Sequence, residues 1–150
     1  MLEELPGVVE RGSHPLPDLD NRCEIHDLVI DFYREVALDP DLGHVFGEVA
    51  EVDWAEHIPR LIDYWARVLL GDPSYDGYIL RPHARVHELE ALQLCHFDQW
   101  IRLFDACVDA RWSGPNAERA KDHADRMAAT LARRLLGVAW SAPSGVLPNL

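Results

Sequence analysis

Histidine, tyrosine and tryptophan carry most of the chemistry open to this chain, and their spacing singles out a few of them. Of the eight histidines, His14 lies in a proline-rich stretch and His44 between two helical segments. His26 and His123 fall on or near polar faces, where solvation is the expected state. His83 stands four residues after Ile79, three after Leu80 and three before Val86, so it shares their inner face. Pro82 suits the first turn of a helix and would fix the direction of the imidazole. Such a histidine is either hydrogen-bonded in a core or an axial iron ligand. His57 sits between Trp54, Ile58 and Leu61 on another apolar face, so two inward histidines on separate helices suggest something polar between them. His83 and His87 are also spaced i, i+4 like a metal pair, although no Glu follows the first as in a zinc protease. Tyr33, Tyr64, Trp65 and Trp100 are inward aromatics with polar tips. They serve as ordinary core or as O–H and N–H donors around a ligand, and the pattern leaves both readings open.

The elements that must position these groups are helices. Ile25, Leu28, Val29, Phe32, Tyr33 and Val36 form one stripe, with Asp20 as the expected N-cap and Asp39-Pro40 as the stop. A second stripe starts near Asp53, runs through Trp54, Ile58, Leu61, Ile62, Trp65, Val68 and Leu69, and ends at Gly71. Pro59 is expected to bend that helix or thin its hydrogen bonding. A loop, GDPSYDGY, leads to a shorter helical stretch from about Leu80 to Ala91. Phe97, Trp100, Ile101, Phe104, Cys107 and Val108 make the next stripe, broken at Ser113-Gly114-Pro115. A last helix follows from about Asn116, with Ala120, Ala124, Met127, Ala128, Leu131 and Leu135 inward. No segment alternates with period two and no repeat occurs, so the fold class is all-α, with helices too uneven for a simple four-helix bundle.

The chain has 150 residues, enough for one domain with a continuous core. Residues 1–20 read as a flexible N-terminal extension, 21–140 as the domain and 141–150 as a C-terminal tail. A net charge of −12 repels phosphate backbones and anionic bilayers, so neither nucleic acid nor a membrane surface is an expected partner. Cys23, Cys95 and Cys107 are scattered, with no Cys-x-x-Cys pair for a zinc knuckle or covalent haem attachment. The acidic start resembles no signal peptide and no apolar run is long enough to span a bilayer, so a soluble cytoplasmic protein is expected.

The strings DFYREVALDPDLGHVF, DWAEHIPRLIDYWARVLLG and HARVHELEALQLCHFDQWIRLF follow one another in an order that resembles the third group of truncated haemoglobins. The likeness spans about residues 21 to 135, and the glycine-pair motifs of the other truncated groups are missing, as that group implies. It implies a truncated globin fold, a helical sandwich enclosing haem b (iron protoporphyrin IX). His83, seventeen residues before Trp100, matches the proximal ligand, so His96 in HFDQW does not. Tyr33 matches the distal tyrosine of the B helix, His57 the distal position of the E helix, and Trp100 the distal tryptophan of the G helix. Phe46 matches the phenylalanine that packs flat on the haem, and Phe32, Leu61, Tyr64 and Trp65 are implied to help enclose it. Arg60 either pairs with a haem propionate or is a solvated surface residue.

A haem held by a neutral histidine binds O₂, CO or NO. A hydrogen bond to a charged group is worth roughly 1.5–3 kcal/mol, so one such donor slows O₂ release on the order of 10- to 100-fold. Two polar donors therefore suit redox chemistry (NO dioxygenation or peroxide activation) better than O₂ delivery. With no Rossmann glycine fingerprint, electrons must come from an external reductase. The remaining readings are a haem-based carrier or sensor without turnover, a hydrolase using His83 and His87, and a cofactor-free interaction module. A monomer and a homodimer are both compatible with the sequence.

Overall fold

The first apolar stripe forms helix α1, Arg22–Leu38, in a computed structural model that describes residues 15–44, 54–73 and 92–143. Its cap is Asn21, one residue later than the sequence predicts: the Asn21 side chain accepts from the Glu24 N–H at 3.0 Å. Asp20 instead accepts from the Asn21 amide at 3.2 Å. Asp39 ends α1 and starts the short α2, Pro40–Gly43. One Asp39 oxygen accepts from the Asp41 and Leu42 N–H groups at 3.1 and 2.9 Å. The other accepts from Gln99 at 2.8 Å, so this carboxylate caps a helix and ties it to its neighbour.

Helix α3, Trp54–Leu70, runs unbroken through Pro59 and closes at Gly71, whose φ of +76° favours glycine. Arg22 ties the start of α1 to α3 through Asp63, and reaches Asp72 at 3.1 Å. Helix α4 spans Leu94–Arg111 and α5 Pro115–Leu136. Arg119 of α5 donates to the Val68 carbonyl at 3.0 Å, placing a cation at the negative end of α3. The expected helix at Leu80–Ala91 lies outside the described residues.

These helices stack as two pairs. Helix α1 packs on α3 and α4 on α5, and the pairs meet through α1–α4 and α3–α5 contacts. The core is aromatic at its centre: Phe32 sets its ring edge-on to Phe104 at 5.2 Å and to Trp100 at 5.4 Å. Ala117, Ala120, Ala124, Ala128 and Ala132 give α5 a buried face of small side chains that lets its neighbours come close. Among the described residues there are helices and no strands. The all-α reading of the sequence is borne out.

Residues 15–20, the described part of the expected N-terminal extension, are packed on the helices. Leu19 is fully buried, and the Pro17 carbonyl accepts from the Ser113 N–H at 2.9 Å. Asp18 caps α5 from a distance, accepting from the Asn116 and Ala117 N–H groups at 3.0 and 2.8 Å. The residue in the cap position of α5 itself is Gly114, at φ +134°, and a Cβ there would meet the Asp18 carboxyl carbon at 2.6 Å. Glycine leaves room for the carboxylate that the helix needs. The end of the domain is packed too, since the Trp140 indole donates to Asp98 at 2.9 Å.

The α4–α5 seam holds one electrostatic conflict. Asp105 and Asp125 each carry a buried carboxyl oxygen with no hydrogen-bond partner. Burial, then the Asp125 charge, pushes the Asp105 carboxyl up to about 6, against the attraction of Lys121.

Candidate functional site

Helix α1 turns the consecutive residues Phe32 and Tyr33 inward, and α4 brings Trp100 beside them. Tyr33 is 8% exposed and Trp100 7%. Burial raises the Tyr33 phenol well above its ordinary pKa, by more than the neighbouring Trp100 indole, which favours the ionised form, lowers it, so Tyr33 keeps its proton. His57 on α3 is half-buried, its ring edge-on to Tyr33 with centroids 6.0 Å apart. The structure thus brings together Tyr33, Trp100 and His57, three groups that lie on different helices and far apart in sequence.

Trp100 also forms part of the wall of a small pocket of about 20 Å³. Leu42 of α2, Leu92, Phe97 of α4, and Ala128 and Leu131 of α5 supply the rest of an almost wholly apolar lining. His96 sits at its margin, with Nδ1 accepting from the Gln93 N–H at 3.0 Å, a cap that holds the start of α4. The chemistry of this apolar lining, with the polar tips of Trp100 and Tyr33 close by, is that of a surface for a flat hydrophobic cofactor whose reactive centre needs a few polar neighbours. The residues present fit haem in this respect. His83 and Phe46, the expected proximal ligand and the expected ring on the haem face, lie outside the described residues, as does His87.

The other expected site residues take other positions. Phe32 and Leu61 are core, 2% and 3% exposed. Trp65 stacks on Phe104 at 5.1 Å and 22°, and Phe104 stacks in turn on Trp100 at 6.2 Å and 18°. Arg60 is exposed and pairs with Glu56 at 3.3 Å across one helical turn. Tyr64 directs its hydroxyl at His123 of α5, with O–Nε2 at 2.6 Å, and the Met127 sulfur lies 3.6 Å from the same oxygen. His123 is therefore not the solvated residue its polar neighbours suggest: it is half-buried, and burial, then Arg126, lowers its pKa below the ordinary value. The signal that could have revealed it is its spacing, three residues after Ala120 and four before Met127, at the edge of the buried face of α5.

A two-over-two helical sandwich with an apolar pocket and a buried Tyr–Trp pair defines a protein of the globin class. The model of the bacterial-like globin family matches residues 19–133, and the chain belongs to that family. It is similar to a protein of Campylobacter jejuni named group 3 truncated hemoglobin ctb, 32% identical over 92 residues that cover 59% of this chain and 70% of the relative. A solved structure, the group III truncated hemoglobin from Campylobacter jejuni, superposes with a TM-score of 0.66 at 27% identity, covering 77% of this chain and 91% of that one. The resemblance read in the sequence, to the third group of truncated haemoglobins, is borne out. Membership implies haem as cofactor and small gases as ligands. Among the described residues, no helix is long and apolar enough to cross a membrane.

Proposed function

We propose that this chain would hold haem b through His83, with Tyr33, Trp100 and His57 as polar neighbours of the bound ligand, and handle O₂, NO or peroxide in redox chemistry rather than deliver O₂. The observation that carries the reading is the burial of two polar-tipped side chains, Tyr33 and Trp100, with His57 edge-on to the phenol. The haem supplies a ferrous iron that takes a diatomic ligand. The chain's own residues set what that ligand meets. Tyr33 keeps an O–H that it can donate to a ligand, and the neighbouring Trp100 offers an indole N–H as a second donor. Burial keeps this phenol protonated across the physiological range, so the donor is not lost to ionisation. The apolar wall of Leu42, Phe97 and Leu131 excludes water, which strengthens the same hydrogen bonds. A site with such a donor retains a polar ligand long enough to react, and an external electron donor must then restore the ferrous state.

The test is an absorption spectrum of haem-supplied protein, wild type and His83→Ala, ferric and ferrous-CO. A Soret band present in wild type and lost or displaced in the variant supports His83 as the ligand. No haem uptake by the wild type, or an unchanged variant spectrum, overturns it. NO consumption by the reduced, O₂-exposed protein then separates turnover from storage: negligible consumption would remove the dioxygenase role.

A further inference from the structure

Tyr64 and His123 are a half-buried phenol and imidazole joined by a short bond, and the distal pocket does not use them. The O–N distance is 2.6 Å. An imidazole nitrogen is a far stronger acceptor than a thioether, so the Tyr64 O–H donates to His123 Nε2 and not to the Met127 sulfur. The Nε2 lone pair is available because burial keeps His123 neutral. Trp65, the residue after Tyr64, lies edge-on to both partners, at 5.6 Å from the Tyr64 ring and 5.5 Å from the His123 ring. Beyond Trp65 the rings are nearly parallel: Trp65, Phe104 and Trp100 form a stack that ends where the Trp100 indole meets Tyr33. An oxidisable phenol with a built-in base near the surface is thus linked by contiguous π-systems to the distal pocket.

We propose that Tyr64 and His123 form a proton-coupled redox site that supplies electrons, through the Trp65–Phe104–Trp100 stack, to a peroxide-derived one-electron oxidant in the distal pocket. The route rests on the haem reading above, whereas the pair does not. In each step Tyr64 loses one electron and its phenolic proton crosses to His123 Nε2, leaving a neutral phenoxyl radical and an imidazolium. Peroxide takes up two such electrons with two protons and becomes two waters. A reducing phenol at the surface resets the site: it gives one electron to Tyr64, His123 returns the proton, and the donor's own proton goes to solvent. Both Tyr64 and His123 are half-buried, so a small donor reaches them without opening the core. The site gives the protein an electron exit for oxidising equivalents that would otherwise damage Tyr33 and Trp100.

The experiment is electron paramagnetic resonance on the full, haem-supplied chain, oxidised either by hydrogen peroxide or from outside by photo-excited ruthenium tris(bipyridine) with persulfate. Wild type is expected to give a tyrosyl signal in both arms, and Tyr64→Phe to lose it in both. His123→Gln keeps a polar partner but removes the base, and should cut the yield about 100-fold, the scale of a positioned proton acceptor. Phe104→Leu interrupts the stack and should reduce the peroxide signal while sparing the photochemical one. A tyrosyl signal unchanged by Tyr64→Phe overturns the pair, and a peroxide signal unchanged by Phe104→Leu overturns the route. A chain without a Soret band overturns the haem reading and the route with it, and the photochemical arm still decides the pair.

Discussion

Trp100 and Tyr33 are neighbouring donors, so removing either residue changes what the other must do. In Tyr33→Phe the phenolic donor is lost and the indole N–H remains. In Trp100→Phe the phenol remains without its neighbour. Stopped-flow O₂ release should therefore quicken modestly in each single variant and by roughly 10- to 100-fold in the double variant, the scale of one charged hydrogen bond. The two effects should be non-additive, as expected for residues in one network. Equal rates in wild type and the double variant would remove both residues from ligand retention. Tyr33 and Trp100 were legible in the sequence because each sits inside a strong apolar stripe and carries a polar tip. Their proximity to each other was not, because periodicity describes one helix and says nothing about which tips meet across two.

Helices were read well where an apolar stripe does the work, as in Ile25 through Val36, and poorly where a cap lies outside the helix. Asp18 sits among prolines and resembles loop, yet it satisfies the first amides of α5. Asp18→Ala should cost about 1–2 kcal/mol by thermal or urea denaturation, the upper range for a helix cap. Gly114→Ala should cost about 1–3 kcal/mol from its positive φ alone, and more through collision with Asp18. An Asp18→Ala protein as stable as wild type would show that water caps α5 just as well. Asp105 makes a prediction of opposite kind at the α4–α5 seam. Its pKa, about 6 in the folded protein, lies above the unfolded value, so its contribution is fully present below the unfolded pKa and is lost as pH rises through about 6. Asp105→Asn should then stabilise at pH 8 by about 1 kcal/mol, a figure limited by solvent screening of a half-exposed group, and make little difference near pH 4. The same gain at both pH values would trace the effect to packing rather than to ionisation.

At the scale of the whole molecule, the sandwich converts separate sequence strings into one pocket: Leu42 from α2, Phe97 and Trp100 from α4, and Leu131 from α5 meet around the same space. The globin likeness was legible because aromatic and histidine landmarks keep their order along the chain. The Tyr64–His123 pair escaped notice because its partners are separated by 59 residues and His123 stands among charged neighbours.

The Asp18 contact also has a bearing on synthesis. Its partner amide lies 98 residues further along the chain, so α1, α3 and α4 are synthesised before the groups that Asp18 must bind exist. The latch therefore becomes available only once the start of α5 has been made. Until then the Leu19 carbonyl also lacks its donor, the Asn116 side-chain amide at 2.8 Å, and the nascent chain depends on reaching α5 quickly. A stalled or C-terminally clipped product that stops before Asn116 would keep most of its helices and still lack this closure, which marks it out for proteolysis.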